Sequence, residues 1–211
     1  MIRLLKAGLF RLKKDILFWI FIFLTIGLAI LTLVRYVPIE GITLDSALNE
    51  FLIYIGLFIA IFVSIFVGKE HSQGIIRNKI IVGHSRFSIF LANLIICIIV
   101  SLLCELIYLA IIFLVGTPLL GQLQMTLSQF IGILVNTIFI IISFCSIYNF
   151  VTMLCSEITI STTICIILFI AMFIAQGAFS LTAHSSKYIE NAFYDENGNK
   201  HIISQEIDPN Y

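Results

Sequence analysis

Groups capable of acid–base or ligand chemistry are few in this chain, and they cluster. From residue 68 to residue 86 the sequence reads GKEHSQGIIRNKIIVGHSR, a dense polar and basic insert between two long apolar runs. Two of the four histidines, His71 and His84, fall in it, and the other two, His184 and His201, fall in a polar C-terminal segment. Within the apolar runs the one carboxylate is Glu105, accompanied by the amides Asn93, Asn136, Asn149 and Gln176. A serine or metalloprotease working inside a membrane needs a base or ligand at depth, and no histidine is placed to supply one. Neither a Gly-x-x-x-x-Gly-Lys-[Ser/Thr] phosphate loop nor a Gly-rich dinucleotide fingerprint occurs. The chain is therefore not expected to be an enzyme, with no catalytic residue, metal site or cofactor. An ionisable group in hydrocarbon faces a bundle interior or a cavity by default. Glu105, with Asn93 and Asn136, is accordingly expected on a pathway or at a helix interface.

The elements that must position these groups are long and greasy. Apolar residues make up 60% of the 211 and charged residues 11%, against roughly 25% charged in soluble domains, and the mean hydropathy is +1.11. The solvent of this chain is mostly hydrocarbon. Five spans are expected, over residues 16–34, 51–67, 87–115, 130–154 and 160–179. The first is too long for a signal-peptide core and has no small-residue cleavage site after it. Pro38 and Gly41 break the chain after span one, and Gly116 and Pro118 after span three. Span three is long enough to require tilt or projection from the bilayer. All five cysteines, Cys97, Cys104, Cys145, Cys155 and Cys165, lie in or at the ends of apolar runs, where they read as small hydrophobes rather than a disulfide framework.

Residues 1–15 form a basic amphipathic start. Ile2, Leu5, Leu9, Leu12 and Ile16 share one arc of a helical wheel, and Arg3, Lys6, Arg11, Lys13 and Lys14 occupy the rest. That pattern suits a helix lying in the membrane interface, with Trp19 as an anchor near the inner end of span one. Nine of the twelve Lys and Arg sit in this start and in the insert, the latter contributing Lys69, Arg77, Lys79 and Arg86. The positive-inside rule then puts the N-terminus and the insert in the cytoplasm, and the acidic loop 35–50 and the tail 180–211 outside. The tail is expected to pack loosely, with one short helix around residues 187–193.

Within the insert, Ile76, Ile80 and Phe87 fall on one helical stripe, while Arg77, Asn78, His84 and Arg86 point elsewhere. A short helix along the cytoplasmic surface fits, with Arg77, Asn78 and Lys79 facing water. Gly68, Gly74 and Gly83 permit sharp changes of direction. An ordinary basic loop that only sets topology is the alternative reading of the same residues, although it needs only Lys and Arg.

The insert resembles the cytoplasmic loop between the second and third helices of ABC-2 type transporter permeases, small bacterial membrane subunits. The residues that carry the resemblance are Gly68-Lys69-Glu70, Gly74, Arg77-Asn78-Lys79 and Gly83-His84-Ser85-Arg86, followed by a span that begins Phe87-Ser88-Ile89-Phe90-Leu91-Ala92-Asn93. The resemblance implies an all-α integral membrane protein. Five transmembrane helices (residues 16–179) would follow an interfacial helix (residues 1–15), with a coupling-type helix in the cytoplasmic loop 68–86. It also implies that Glu70, Gly74, Arg77, Asn78, Lys79, Gly83 and Arg86 form or shape an element that docks on a separate cytoplasmic ATPase. A second permease copy or a paralogue would complete the pathway in the cell membrane. The exported substrate would be a peptide, a drug or lipid-like material, and membrane lipids but no nucleic acid would be partners. The family generally has six spans, so the extracellular tail 180–211 is expected to be incomplete, truncated before a sixth helix. A membrane scaffold or assembly factor without a transport cycle is the alternative function.

Overall fold

The computed structural model describes residues 2–37, 44–121, 123, 125–155, 157–183, 188–194 and 200–206. Pro38, Gly41 and His184, named above, lie outside them, as do parts of the expected loop 35–50 and tail 180–211. The described residues fall into two units, residues 1–169 and residues 170–211.

Among the described residues, the regular elements of the first unit are all helices. Helix α1 (Ile2–Lys14) ends at Asp15, whose side chain accepts from the Leu17 amide and so caps α2 (Ile16–Tyr36). An aspartate at this position satisfies one of the orphan amides of the helix start, so one residue both divides and joins the two helices. Helix α3 runs Leu44–Ser72, α4 Ile75–Ile81 and α5 Arg86–Ile111. A π-helical turn, Ile112–Gly116, leads from α5 into α6 (Thr117–Leu120), and α7 (Leu127–Leu154) and α8 (Ile158–Ala183) follow. Five helices are long and apolar enough to cross a membrane: Ile16–Tyr36, Ile53–Ser72, Arg86–Leu120, Leu127–Leu154 and Ile158–Phe179. This is the architecture of a multi-pass membrane protein.

Helix α3 is the axis of the unit. It packs on α7, α5 and α2, and α5 in turn packs on α2, α7 and α1. Ile55, Ile59, Val63, Phe66 and Val67 of α3 are buried beside Val100, Ile141 and Tyr148. Close approach uses glycine at three points, the first being Gly8, where a Cβ would fall 2.3 Å from Ile96 Cδ1. A Cβ on Gly56 would fall 2.7 Å from the ring of Phe169, and one on Gly116 would fall 2.8 Å from Leu44 and 3.1 Å from Leu33. Small residues at such crossings let helix backbones approach where lipid supplies no hydrophobic drive.

Two helices run past the expected limits of their spans. Span two starts close to the expected residue, at Ile53, but its helix begins earlier, at Leu44, because the acids that read as loop are partly taken inward. Glu50 is buried and its Oε1 accepts from Arg35 Nη1 at 2.6 Å, while Leu44, Ala47 and Leu48 join the core. Span three does not stop before Gly116. Pro118 has no amide to give and its ring crowds the preceding turn, and the helix passes this point through the π turn instead of ending.

The second unit contains the end of α8 and an antiparallel hairpin, β1 (Tyr188–Tyr194) with β2 (Lys200–Glu206), paired from Tyr188 opposite Glu206 to Tyr194 opposite Lys200. The short helix expected around residues 187–193 is thus a strand. The local cue is Asn197-Gly198 between two runs rich in Ile, Tyr and Phe, a strong short-range signal for a hairpin.

Candidate functional site

The polar insert is built around Glu70. Helix α3 does not end at the apolar limit near Val67 but continues to Ser72, which carries Lys69 and Glu70 into the mouth of the bundle. Gln73 and Gly74 then turn the chain through amides bonded to Lys69 and His71 carbonyls, with Gly74 at φ 67°. That left-handed conformation favours glycine. Helix α4 follows for seven residues, and Gly83 at φ 94° reverses the chain again before Ser85 caps α5 through the Ser88 amide.

Three other elements converge on the Glu70 carboxylate of α3. Arg11 Nη1 from α1 and Lys79 Nζ from α4 each donate to Oε1 at 2.6 Å, and Asn93 Nδ2 from α5 donates to Oε2 at 2.8 Å. Glu70 itself is 1% exposed. Arg11 also donates to the Phe66 carbonyl at 3.3 Å and lies over the Phe66 ring, 4.3 Å from its centroid. One residue along α3, Lys69 Nζ reaches both oxygens of Asp15 at 3.0 and 3.2 Å. Charge-assisted bonds of this kind are about twice as strong as neutral ones, and both carboxylate oxygens of Glu70 are satisfied. The arrangement fastens α1 and α4 to the ends of two membrane-length helices.

These contacts divide the expected docking residues. Arg77, Asn78, Gly83 and Arg86 are exposed, as expected of a contact surface. Glu70 is not: it is the hidden fastener of the element rather than part of its surface. Lys79 was expected to face water and instead turns inward to Glu70. Gly68 makes no bend; it lies inside α3, where Ile158 packs 3.3 Å from the position a Cβ would take. The apolar stripe also splits. Ile76 is buried with Leu4, Ile89 and Ala92, but Ile80 is 38% and Phe87 71% exposed, beside exposed Ile81 and Val82. Between α4 and the bundle is a cleft of about 510 Å³, lined by His71, Arg77, Arg86, Ile80, Ile81 and Met153 among others. It joins basic groups to apolar walls.

The intramembrane candidates separate as well. Asn93 is committed to Glu70. Asn136 is exposed and lines a second cleft, of about 620 Å³, with Asp45, Gln129, Gly132 and Ile133. Asn149 joins helices, its Nδ2 donating to the Phe90 carbonyl at 3.1 Å. Glu105 is 8% exposed, and among the described residues its Oε2 has no hydrogen-bond partner. It therefore does not join helices through that oxygen. Removing a group that is buried without a partner relieves a desolvation penalty, so Glu105→Leu should leave the stability of the bundle equal or raised. A detergent-unfolding titration checks this; a loss of more than about 1 kcal/mol would show that the carboxyl has a partner. Among the described residues no three His, Cys, Asp or Glu side chains form a group fit for a metal ion.

Sequence spacing did not reveal Arg11 or Asp15 as members of the site. Arg11 meets Glu70 across 59 residues and Lys69 meets Asp15 across 54, and no local pattern marks pairs so distant. Compared with family models, curated proteins and solved structures, the chain matches none.

Proposed function

We propose that this chain is the membrane-spanning permease subunit of an ATP-binding cassette exporter, which couples ATP hydrolysis by a separate cytoplasmic ATPase to export of a peptide, drug or lipid-like substrate. The observation that carries this reading is the Glu70 fastening. A coupling element has to be stiff: a push on α4 must reach the spans before it is lost in loop motion. Here α4 is seven residues long, closed by glycine turns at both ends, and tied through Lys79 and Glu70 to α3, through Asn93 to α5 and through Arg11 to α1. Its outer side shows Arg77 and Asn78 with Ile81 and Val82 beside them, a basic and apolar surface suited to an acidic-rimmed groove on a soluble partner.

In this reading the N-terminus, α1 and α4 face the cytoplasm of a bacterial cell, and a second copy or a paralogue completes the pathway. The decisive test is affinity purification of the chain from its own cells with ATPase activity assayed in the eluate. The parent should bring down activity. R77E reverses an exposed charge that has no ion pair among the described residues, and should lose the activity while keeping the parent's elution profile and thermal stability. An eluate without ATPase activity from the parent, or unchanged capture by R77E, would overturn the assignment.

Orientation has its own check. A cysteine at Asn78 should react with a membrane-impermeant maleimide only after the cells are opened, because four of the five native cysteines are buried and the new one is not. Labelling of intact cells would place α4 outside.

A further inference from the structure

A third cleft, of about 360 Å³, opens on the other side of the Glu70 fastening, between the end of α1 and the end of α3. It is lined by Arg11, Lys14, Asp15, Ile16, Lys69 and Gln73. We infer that it is a binding site for the phosphate of an anionic phospholipid in the leaflet that adjoins α1. The inference is independent of the transport reading.

Charge is the first argument. Among the described residues, the cations that line this cleft, Arg11, Lys14 and Lys69, with the neighbouring Lys79, pair with two carboxylates, Asp15 in the lining and Glu70 behind it. Lys14 has no carboxylate partner among the described residues; its Nζ lies 4.6 Å from the centroid of the Phe10 ring and is exposed. Lys69 spends its contacts on Asp15 alone and keeps donor capacity, and the exposed Gln73 adds an amide. A phosphodiester supplies the missing negative charge and several acceptor oxygens.

The second argument selects a lipid over a free anion. From exposed Ile16 at the edge of the cleft the apolar surface continues along α2 as exposed Ile20 and Phe23, spaced as one helix face. An acyl chain can follow this track while its headgroup occupies the basic end. The depth is also right: Trp19 is half exposed and its Nε1 donates to the Lys13 carbonyl at 3.2 Å, the amphipathic placement typical of the headgroup level. Basic pockets beside membrane helices recognise anionic headgroups in this way.

The test uses the purified full chain in detergent, with lipid retention read by native mass spectrometry. Dioleoylphosphatidylglycerol should be retained in preference to dioleoylphosphatidylcholine. K14Q should weaken that retention about fivefold, and K6Q, which changes another exposed lysine of α1 outside the cleft, should not. Three results would overturn the site: equal retention of the two lipids, equal losses in K14Q and K6Q, or displacement of the lipid by millimolar inorganic phosphate. Because Lys6 and Lys14 are both exposed, neither variant should disturb folding, and unchanged thermal stability in lipid-free detergent confirms that.

Discussion

Glu70→Ala should destabilise the bundle by about 3–5 kcal/mol, the range for breaking a buried ion pair by deleting one partner. The carboxylate is 1% exposed and takes two cations and an amide. Without it, Arg11 and Lys79 face each other across a space with no countercharge, and Asn93 is left buried without its acceptor. Both cations are partly exposed, with side-chain values of 28% and 18%, so they can turn toward water, which places the loss at the lower end. Glu70→Gln keeps an acceptor and should lie between the parent and alanine. The measurement is an unfolding titration in mixed detergent micelles. Trp19 is the single tryptophan and stands at the α1–α2 junction, so its fluorescence reports release of α1 directly. An alanine variant within 1 kcal/mol of the parent would mean that packing rather than the ion cluster holds α1 and α4. Arg77→Ala, on the exposed side of α4, is the matched control and should be silent.

Tyr108→Ala is the second large effect, again about 3–5 kcal/mol. Tyr108 of α5 is 1% exposed, stacked on Phe51 of α3 with centroids 4.5 Å apart. Its hydroxyl donates to the Ala47 carbonyl at 2.8 Å and lies 3.5 Å from Thr32 Oγ1. One ring thus joins three helices at the end of the bundle opposite Glu70. In a membrane the loss comes from van der Waals contact and from hydrogen bonds that lipid cannot replace. Tyr108→Phe keeps the ring and removes only the bond, so it should cost about 1 kcal/mol. The gap between the two variants separates stacking from hydrogen bonding. Equal losses would make the hydroxyl, and not the ring, the joint.

What could be read from the sequence, and what could not, follows the range of the physics involved. Burial of Glu105 and exposure of Arg77 and Asn78 are local consequences of hydropathy and helical spacing, and the structure has both. Taken alone, Asp45 and Glu50 look aqueous, so the sequence does not show that α3 starts as early as Leu44; Arg35, on another helix, and Tyr54, one turn along, hold Glu50 in its buried place. Lys79 was misassigned for the same reason. A lysine on a short surface helix points to water unless a buried acid waits within reach, and Glu70 lies on the preceding helix, past two turn residues. The insert marks Glu70 as one of the residues that form or shape the element, and its burial makes it a shaper, an internal fastener rather than part of the surface. Composition can mark where charges gather. It does not show which of them are consumed by one another.

Helix α3 is held by a buried glutamate near each end, Glu50 to Arg35 and Glu70 to Arg11 and Lys79. The two stand twenty residues apart on one helix with no charged residue between Phe51 and Gly68, about 30 Å at 1.5 Å per residue. A helix pinned at both ends cannot ratchet. An axial slip of one turn, about 5.4 Å, would break both clasps at once and draw a carboxylate into hydrocarbon. Helix α3 is therefore fixed in depth against α2, and in the exporter proposed above it would be the stator about which the unclasped helices tilt or rotate.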